Sequence, residues 1–600
     1  MKKKFNRIIN TLFLIQLLFM FNSCNSTLQD NDKQTILANK GKVYCRIIAG
    51  QEDRIAAESL QKYLLNKFKI DVDITDPVVL QDSTYKCEIV LGRKETNYYL
   101  NSIALQQDIE IDKAKLTSDG YIIRTLHGSD VDYVLVAGGG KRGVFYAVGE
   151  LKNYYLRNVK DSVVILPASV YEVPTLKYRW LWTWDWRMEW NGEPGGSDWG
   201  GGGAYKKKSG AYLEDYKACI DYMSENGFNG LVIWGFIRDS HGGISASQEI
   251  CRYADERGVR ILPGIGTSGY GGFVFEGNHH YNSHTWLSEH PELRLVNKEG
   301  KVGEKGDDGL SDHLCPSKVA NQKWLDEGAE WLFKNFKIGG VNLEMGDHFV
   351  CYCDDCKKAR DAINSDEPDY YKDMALSHGK MIRSMRKIAP DAWLSYATYT
   401  GFTKEMMAKP PKFTELIPQD AICQWTLLHM LDSTIVPDVS EPSAGKGWPK
   451  GLKPMTRHSV GYLHWANKST KTEHDFFLKQ FRRAARLSYN SGLEGLVLYG
   501  ELPISRINMK LNYLAFREYC FHPNLTQKEF TEKRLVPLCG EKSIEKLWEI
   551  IELVRTEKQR NSGDNLIKAK RIAKSVLQEI PSQYQENWLN IIAYLNSYSL

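Results

Sequence analysis

Between residues 178 and 499 the chain alternates short apolar runs with stretches of helical periodicity, eight times over. The apolar runs fall at 178–185, 230–237, 259–265, 339–345, 392–399, 421–426, 459–465 and 494–499. Each is too short for a stable helix and is built largely from Val, Ile, Leu, Trp and Tyr, the make-up of a strand buried on both faces. Amphipathic stretches at 212–226, 246–257, 321–336, 371–388 and 473–488 separate most of them. Strands that alternate with helices pair in parallel, and eight such units predict a (β/α)8 TIM barrel with long insertions. In that architecture the C-terminal strand ends carry the chemistry. The longest insertion, 267–316, is rich in Gly, His and Asn and follows the third strand, over the same face.

The chain has 600 residues, more than one hydrophobic core holds, since single cores stop growing near ~250–300 residues. Residues 42–172 show their own strand–helix alternation and predict a small α/β domain. Within it, Gly138-Gly139-Gly140-Lys141-Arg142-Gly143 lies between a strand and a helix, where backbone amides can cradle phosphate. The spacing and the Lys-Ser/Thr of a P-loop are absent, so the run reads as a tight turn. Pro174 marks the next boundary and the barrel spans 173–508. From there the apolar spacing is helical throughout, and 509–600 predicts a C-terminal helical domain. The fold class is therefore α/β: small α/β domain, barrel, helical domain.

The N-terminus carries a targeting pattern. Lys2, Lys3, Lys4 and Arg7 precede an apolar stretch too short for a comfortable membrane span. It ends at Phe21-Asn22-Ser23-Cys24, which resembles a bacterial lipoprotein processing site, so 1–23 reads as a signal peptide and Cys24 as the lipidated residue. Residues 24–41 are polar and predict a linker. The chain is then expected in the bacterial cell envelope, lipid-anchored on the periplasmic side or at the outer-membrane surface. Removal of the four basic residues takes the formal charge from +4 to zero, which argues against a nucleic-acid partner.

Glu344 and Asp347 follow the fourth apolar run, within Gly339-Gly340-Val341-Asn342-Leu343-Glu344-Met345-Gly346-Asp347. Side chains repeat every two residues in a strand, so Asn342 and Glu344 share a face while Val341 and Leu343 take the other. Other strand ends offer Arg179, Trp184 and Asp185, then Trp234, Tyr399, Trp425, Trp465, Tyr499 and Glu501. Aromatic rings converging with carboxylates on one rim suit a sugar: rings stack on C–H faces while acids protonate the leaving oxygen and stabilise positive charge. Glu344, Asp347 and Glu501 are the catalytic candidates; Arg179, Trp184, Asp185, Trp234, Tyr399, Trp425, Trp465 and Tyr499 are the substrate-binding candidates. With 12% aromatic residues, including 16 Trp and 32 Tyr, the composition fits such a rim.

Most of the twelve cysteines stand alone in apolar runs, as buried small hydrophobes do. Cys351, Cys353 and Cys356 cluster with metal-like spacing, but a structural zinc needs four ligands, and Cys315, His348 or Asp355 are candidates for the fourth. One disulfide with a free thiol, or three unpaired thiols, are the other readings.

The segments Tyr178-Arg179-Trp180-Leu181-Trp182-Thr183-Trp184-Asp185-Trp186-Arg187, Gly339 to Cys356 and Gly495-Leu496-Val497-Leu498-Tyr499-Gly500-Glu501 together resemble the bacterial family-20-like glycoside hydrolases. The small domain is similar to the one preceding the barrel in families 20, 67 and 84, and the Cys-x-Cys-x-x-Cys run is similar to family 163. The resemblance covers roughly 42–510. It implies a β-N-acetylhexosaminidase-like hydrolase of extracytoplasmic oligo- or polysaccharides that needs no cofactor, with Glu344 as general acid. In family 20 an Asp-Glu pair ends the fourth strand, the Asp orienting the substrate's acetamido group; here the pair is Leu343-Glu344. An α-glucuronidase-like hydrolase, as family 67 implies, and a non-catalytic glycan-binding surface lipoprotein are the alternatives.

Overall fold

A computed structural model describes residues 33–77, 84–195, 207–303, 313–345, 350–401, 412–427, 458–463 and 473–598. The chain divides into two compact units, one ending at Val173 and the other beginning at Pro174.

In the first unit a six-stranded sheet runs in the order Ser169–Glu172, Tyr121–Leu126, Asp132–Gly138, Cys87–Gly92, Cys45–Ala49 and Ile74–Thr75, the last four parallel. The glycine run opens the helix Lys141–Glu150. A Cβ on Gly139 would lie 2.0 Å from the Thr117 carbonyl oxygen, so glycine there answers close backbone packing. The linker expectation needs correction. Thr35–Asn39 is a strand paired antiparallel with Ser162–Ile165, and it alternates buried Thr35 and Leu37 with exposed Ile36, so ordered structure begins before residue 42.

The second unit is the barrel. Its strands are β1 (Tyr178–Trp184), β2 (Gly230–Trp234), β3 (Arg260–Gly266), β4 (Gly340–Glu344), β5 (Trp393–Gly401), β6 (Ile422–Thr426), β7 (Ser459–Leu463) and β8 (Gly495–Tyr499). All pair in parallel with their sequence neighbours, and β8 returns to β1, closing the barrel. The eight apolar runs are these eight strands.

The period-two alternation sorts two cores. Tyr178, Trp180, Trp182, Val232, Trp234, Leu262, Ile422, Val460, Val497 and Tyr499 fill the interior. Leu181, Leu231, Ile233, Val341, Leu343, Leu394 and Leu498 face the helices instead. Small residues make room for the large rings: a Cβ on Gly264 of β3 would sit 2.5 Å from the Trp234 indole, and one on Gly230 of β2 would sit 2.4 Å from that of Trp180.

Helices α1 (Ser209–Glu225), α2 (Gly243–Glu256), α3 (Val319–Asn335), α4 (Asp354–Asp361), α5 (Asp369–Ile388) and α6 (Leu478–Asn490) fall between strands. Helix α7 (Ile507–Phe521), which the apolar spacing assigned to a separate domain, follows β8 as the barrel's eighth helix. It is buried almost throughout, with Phe516 stacked on Phe228 at 5.5 Å and Tyr513 on Trp190 at 6.1 Å. Beyond it, α8 (Ile544–Val554), α9 (Gly563–Glu579) and α10 (Ser582–Asn596) share one apolar core with the barrel's outer face. Among the described residues no helix is long and apolar enough to cross a membrane.

Candidate functional site

Strand β4 begins the site. Val341 and Leu343 are fully buried against the helices, which leaves Asn342 and Glu344 pointing into the barrel. Asn342 is held from two neighbouring strands. Its Oδ1 accepts hydrogen bonds from Ser395 Oγ of β5 at 2.9 Å and from Gln424 Nε2 of β6, while its Nδ2 donates to Glu344 Oε1 at 3.3 Å. Gln424 Nε2 also donates to Ser395 Oγ at 3.2 Å. On the other side, the Thr267 amide donates to the Glu344 carbonyl at 2.8 Å. Glu344 thus ends a row of buried amides and a hydroxyl reaching across three strands, and it is itself only 6% exposed. A side chain fixed through neighbouring polar groups is pre-organised, the condition a positioned acid must meet.

The same end of the barrel is walled by aromatic rings. Trp184, half-buried at the end of β1, packs on Trp182, Trp186 and Trp234 at 5.0, 4.4 and 5.9 Å between centroids. Tyr499 of β8 meets Trp182 edge-on at 5.1 Å. Beside Glu344, β3 presents Gly264 and Gly266 in register with Asn342 and Glu344; Trp234 takes the space at Gly264, and the Gly269 backbone and Tyr270 take that at Gly266. The Nε1–H groups of Trp184 and Trp234 are buried and have no acceptor among the described residues. Trp180 Nε1, deeper in the same interior, has none either, so these donors accompany the packing of indoles inside the barrel.

Glu501 lies just beyond β8, 2% exposed, and its Oε1 accepts the Trp184 amide at 3.0 Å. Its backbone carbonyl accepts from Glu189 N–H at 3.0 Å, which ties the ends of β8 and β1 together.

Three of the sequence candidates need correction. Arg179 sits at the N-terminal end of β1, the wrong end of the barrel for substrate. Its guanidinium faces outward, donates to the carbonyls of Gly227 and Leu176 at 2.6 Å each, and lies over the Phe521 ring. Trp425 follows the outward parity of Cys423, packs with the helices, and reaches Ser459 Oγ at 3.4 Å with its Nε1. Asp185 is completely enclosed and pairs with Arg238 Nε at 2.5 Å and His241 Nδ1 at 3.0 Å, so it holds those side chains rather than touching a ligand. Asp347, Trp465 and Cys24 lie outside the described residues, and so does the side chain of Tyr399, whose backbone belongs to β5.

One contributor escaped the strand pattern. Tyr270, from the insertion after β3, packs on Trp234 at 5.4 Å and on Trp184 at 6.5 Å. It does so with φ +57°, a conformation that a bulky residue rarely holds unless its surroundings impose it. The only sequence signal is its glycine-flanked setting, Ser268-Gly269-Tyr270-Gly271-Gly272.

The cysteine cluster gains its fourth member from the same insertion. The Sγ atoms of Cys315, Cys351, Cys353 and Cys356 all lie within 4.8 Å of one another, a donor set suited to a thiophilic metal. The hydrogen-bonding contact with Cys315 Sγ draws the Cys351 thiol well below the usual cysteine range.

Neither protein-family models nor curated protein sequences give a match to this chain. Solved structures do. A β-N-acetylhexosaminidase from Bacteroides fragilis superimposes with a TM-score of 0.52 at 14% identity, over 87% of this chain and 94% of that one. A chitobiase from Flavobacterium johnsoniae gives 0.50 at 13% identity, over 96% and 86%. The exo-β-N-acetylglucosaminidase of Vibrio harveyi gives 0.50 at 11% identity, over 87% and 76%. The fold is that of the family 20 glycoside hydrolases. At the end of β4 this chain has Leu343-Glu344, and the Leu343 side chain is buried in the outer core.

Proposed function

We propose that the chain is a glycoside hydrolase that removes N-acetylhexosamine from extracytoplasmic glycans, with Glu344 as the general acid. The observation that carries this reading is the placement of Glu344. It is a buried, amide-held carboxyl at the end of β4, at the aromatic end of a barrel with the family 20 fold. The structural relatives include a β-N-acetylhexosaminidase, a chitobiase and an exo-β-N-acetylglucosaminidase in complex with N-acetylglucosamine, which supports the substrate class. Trp184 and Tyr270, only partly buried above the packed interior, supply faces for sugar C–H groups.

In this reading Glu344 protonates the glycosidic oxygen as the bond to the anomeric carbon breaks. The partner carboxylate cannot be the preceding residue, because that residue is Leu343, which has no carboxyl group and packs into the outer core. Glu501, anchored on the Trp184 amide, and Asp347 are the remaining candidates, either to orient the acetamido group or to meet the anomeric carbon directly. No cofactor enters these steps.

Replacing Glu344 by Gln keeps the shape and removes the proton. Turnover of aryl 2-acetamido-2-deoxy-glycosides should fall ~10²–10⁴-fold while glycan affinity is kept, the range for losing a general acid. Unchanged turnover, or no turnover by the native chain on a panel that includes aryl uronides, would reject the hexosaminidase reading. Hydrolysis of uronides alone would move it to a glucuronidase.

Attachment to the cell envelope through a lipid on Cys24 is part of the same proposal and rests on the N-terminal sequence. Cys24→Ala should move the chain from the membrane fraction to the soluble fraction, and unchanged fractionation would count against the anchor.

A further inference from the structure

We infer that Cys315, Cys351, Cys353 and Cys356 form a tetrahedral zinc site that clamps the insertion after β3 to the loop after β4. The inference is independent of the glycosidase reading.

Four thiols could meet as two bonded pairs or around one centre, and the distances favour a centre. Cys315 Sγ lies 3.5 Å from that of Cys351 and 3.7 Å from those of both Cys353 and Cys356. No partner is preferred. Zn–S bonds of ~2.3 Å in a tetrahedron put the sulfurs about 3.8 Å apart, close to all three separations.

The surroundings suit thiolates. The backbone amide of Val296 points at Cys351 Sγ and that of Cys356 at Cys353 Sγ, each at 3.4 Å, placing N–H dipoles where sulfur charge would sit. Around the cluster the ligand-bearing backbone is itself secured. Asn321 Nδ2 donates to the Cys315 carbonyl at 3.0 Å, and Arg360 donates to the Cys351 carbonyl at 2.7 Å while paired with Asp373 at 2.9 Å. Such outer contacts orient metal ligands. Leu295 and Val296 pack against the sulfurs in a small apolar cluster of their own. Four protein ligands leave no open position, so the metal is structural.

The full chain, produced in zinc-supplemented medium without a metal-binding tag, should contain close to one zinc per chain by elemental analysis. An organomercurial should release that zinc to a chromogenic chelator. Exchange for cobalt should produce the thiolate-to-metal and ligand-field bands of tetrahedral Co(II). Cys315→Ser should lose most of the zinc and melt at lower temperature, while Cys45→Ala, in the first unit, should keep it. Should Cys315→Ser fail to fold, the zinc content and cobalt spectrum of the native chain decide alone. Stoichiometric iron, four free thiols without metal, or two disulfides among these cysteines in non-reducing peptide mapping would each overturn the inference.

Discussion

His378 on α5 is completely buried, and burial pushes its imidazole down to about 3. Its Nδ1 lies 3.3 Å from Thr267 Oγ1, and the Thr267 amide in turn holds the Glu344 carbonyl. The folded protein therefore keeps His378 neutral, whereas the unfolded chain takes up a proton near pH 6.5. Its contribution to stability is complete above that pH. It is lost as the pH falls toward 3, at ~1.4 kcal/mol per unit, because the unfolded state binds the extra proton. Melting temperatures between pH 7 and 4.5 should drop more steeply for the native chain than for His378→Gln; parallel curves would refute this. At this scale the sequence was informative about Glu344, whose strand position and parity are local properties. It was misleading about Arg179 and Trp425. Both lie in predicted strands, but only the closed barrel separates mouth from base and inside from outside.

At the scale of the element, strand alternation carried most of the reading. Asn342 and Glu344 on one face and Val341 and Leu343 on the other follow from the two-residue period. Which residues meet across strands does not follow from any one of them. The row from Gln424 through Ser395 and Asn342 to Glu344 joins three strands far apart in sequence. The glycines of β3 belong to the same scale, since they exist for a ring on β2. Gly264→Ala should place a methyl against the Trp234 indole and destabilise the protein by ~1–3 kcal/mol, the usual range for overpacking. Combining it with Trp234→Leu should cost less than the sum of the two single changes, because both act on one contact. Additive losses in a denaturation double-mutant cycle would show that Gly264 matters for another reason.

At the scale of the molecule, the barrel is not finished where its last strand ends. Helix α7 packs on α6 through Phe516 and Phe481 and on Phe228 just before β2, and α10 packs behind it, with Lys510 Nζ donating to Asn587 Oδ1 at 2.8 Å and Trp588 fully buried. A chain ending after Phe521 would expose the apolar face that α8–α10 cover, so it should bind a hydrophobic dye and aggregate on purification. A monodisperse product with the native melting temperature would show the helical layer to be dispensable. Helical periodicity could not distinguish α7 from the layer outside it, because both repeat at 3.6 residues and differ only in how many faces are buried.

By itself the sequence determined the class of fold, the number of barrel strands, the strand that bears Glu344 and the parity of its neighbours. These depend on local periodicity, which is readable residue by residue. The tertiary structure alone decided that Arg179 belongs to the base, that Trp425 faces the helices, that Asp185 is locked to Arg238 and His241, and that Tyr270 joins the aromatic wall. It also placed Cys315 as the fourth member of the cysteine cluster, His348 lying outside the described residues. Each of these depends on which distant segments meet when eight strands close on themselves, and pairwise proximity leaves no mark on a local pattern.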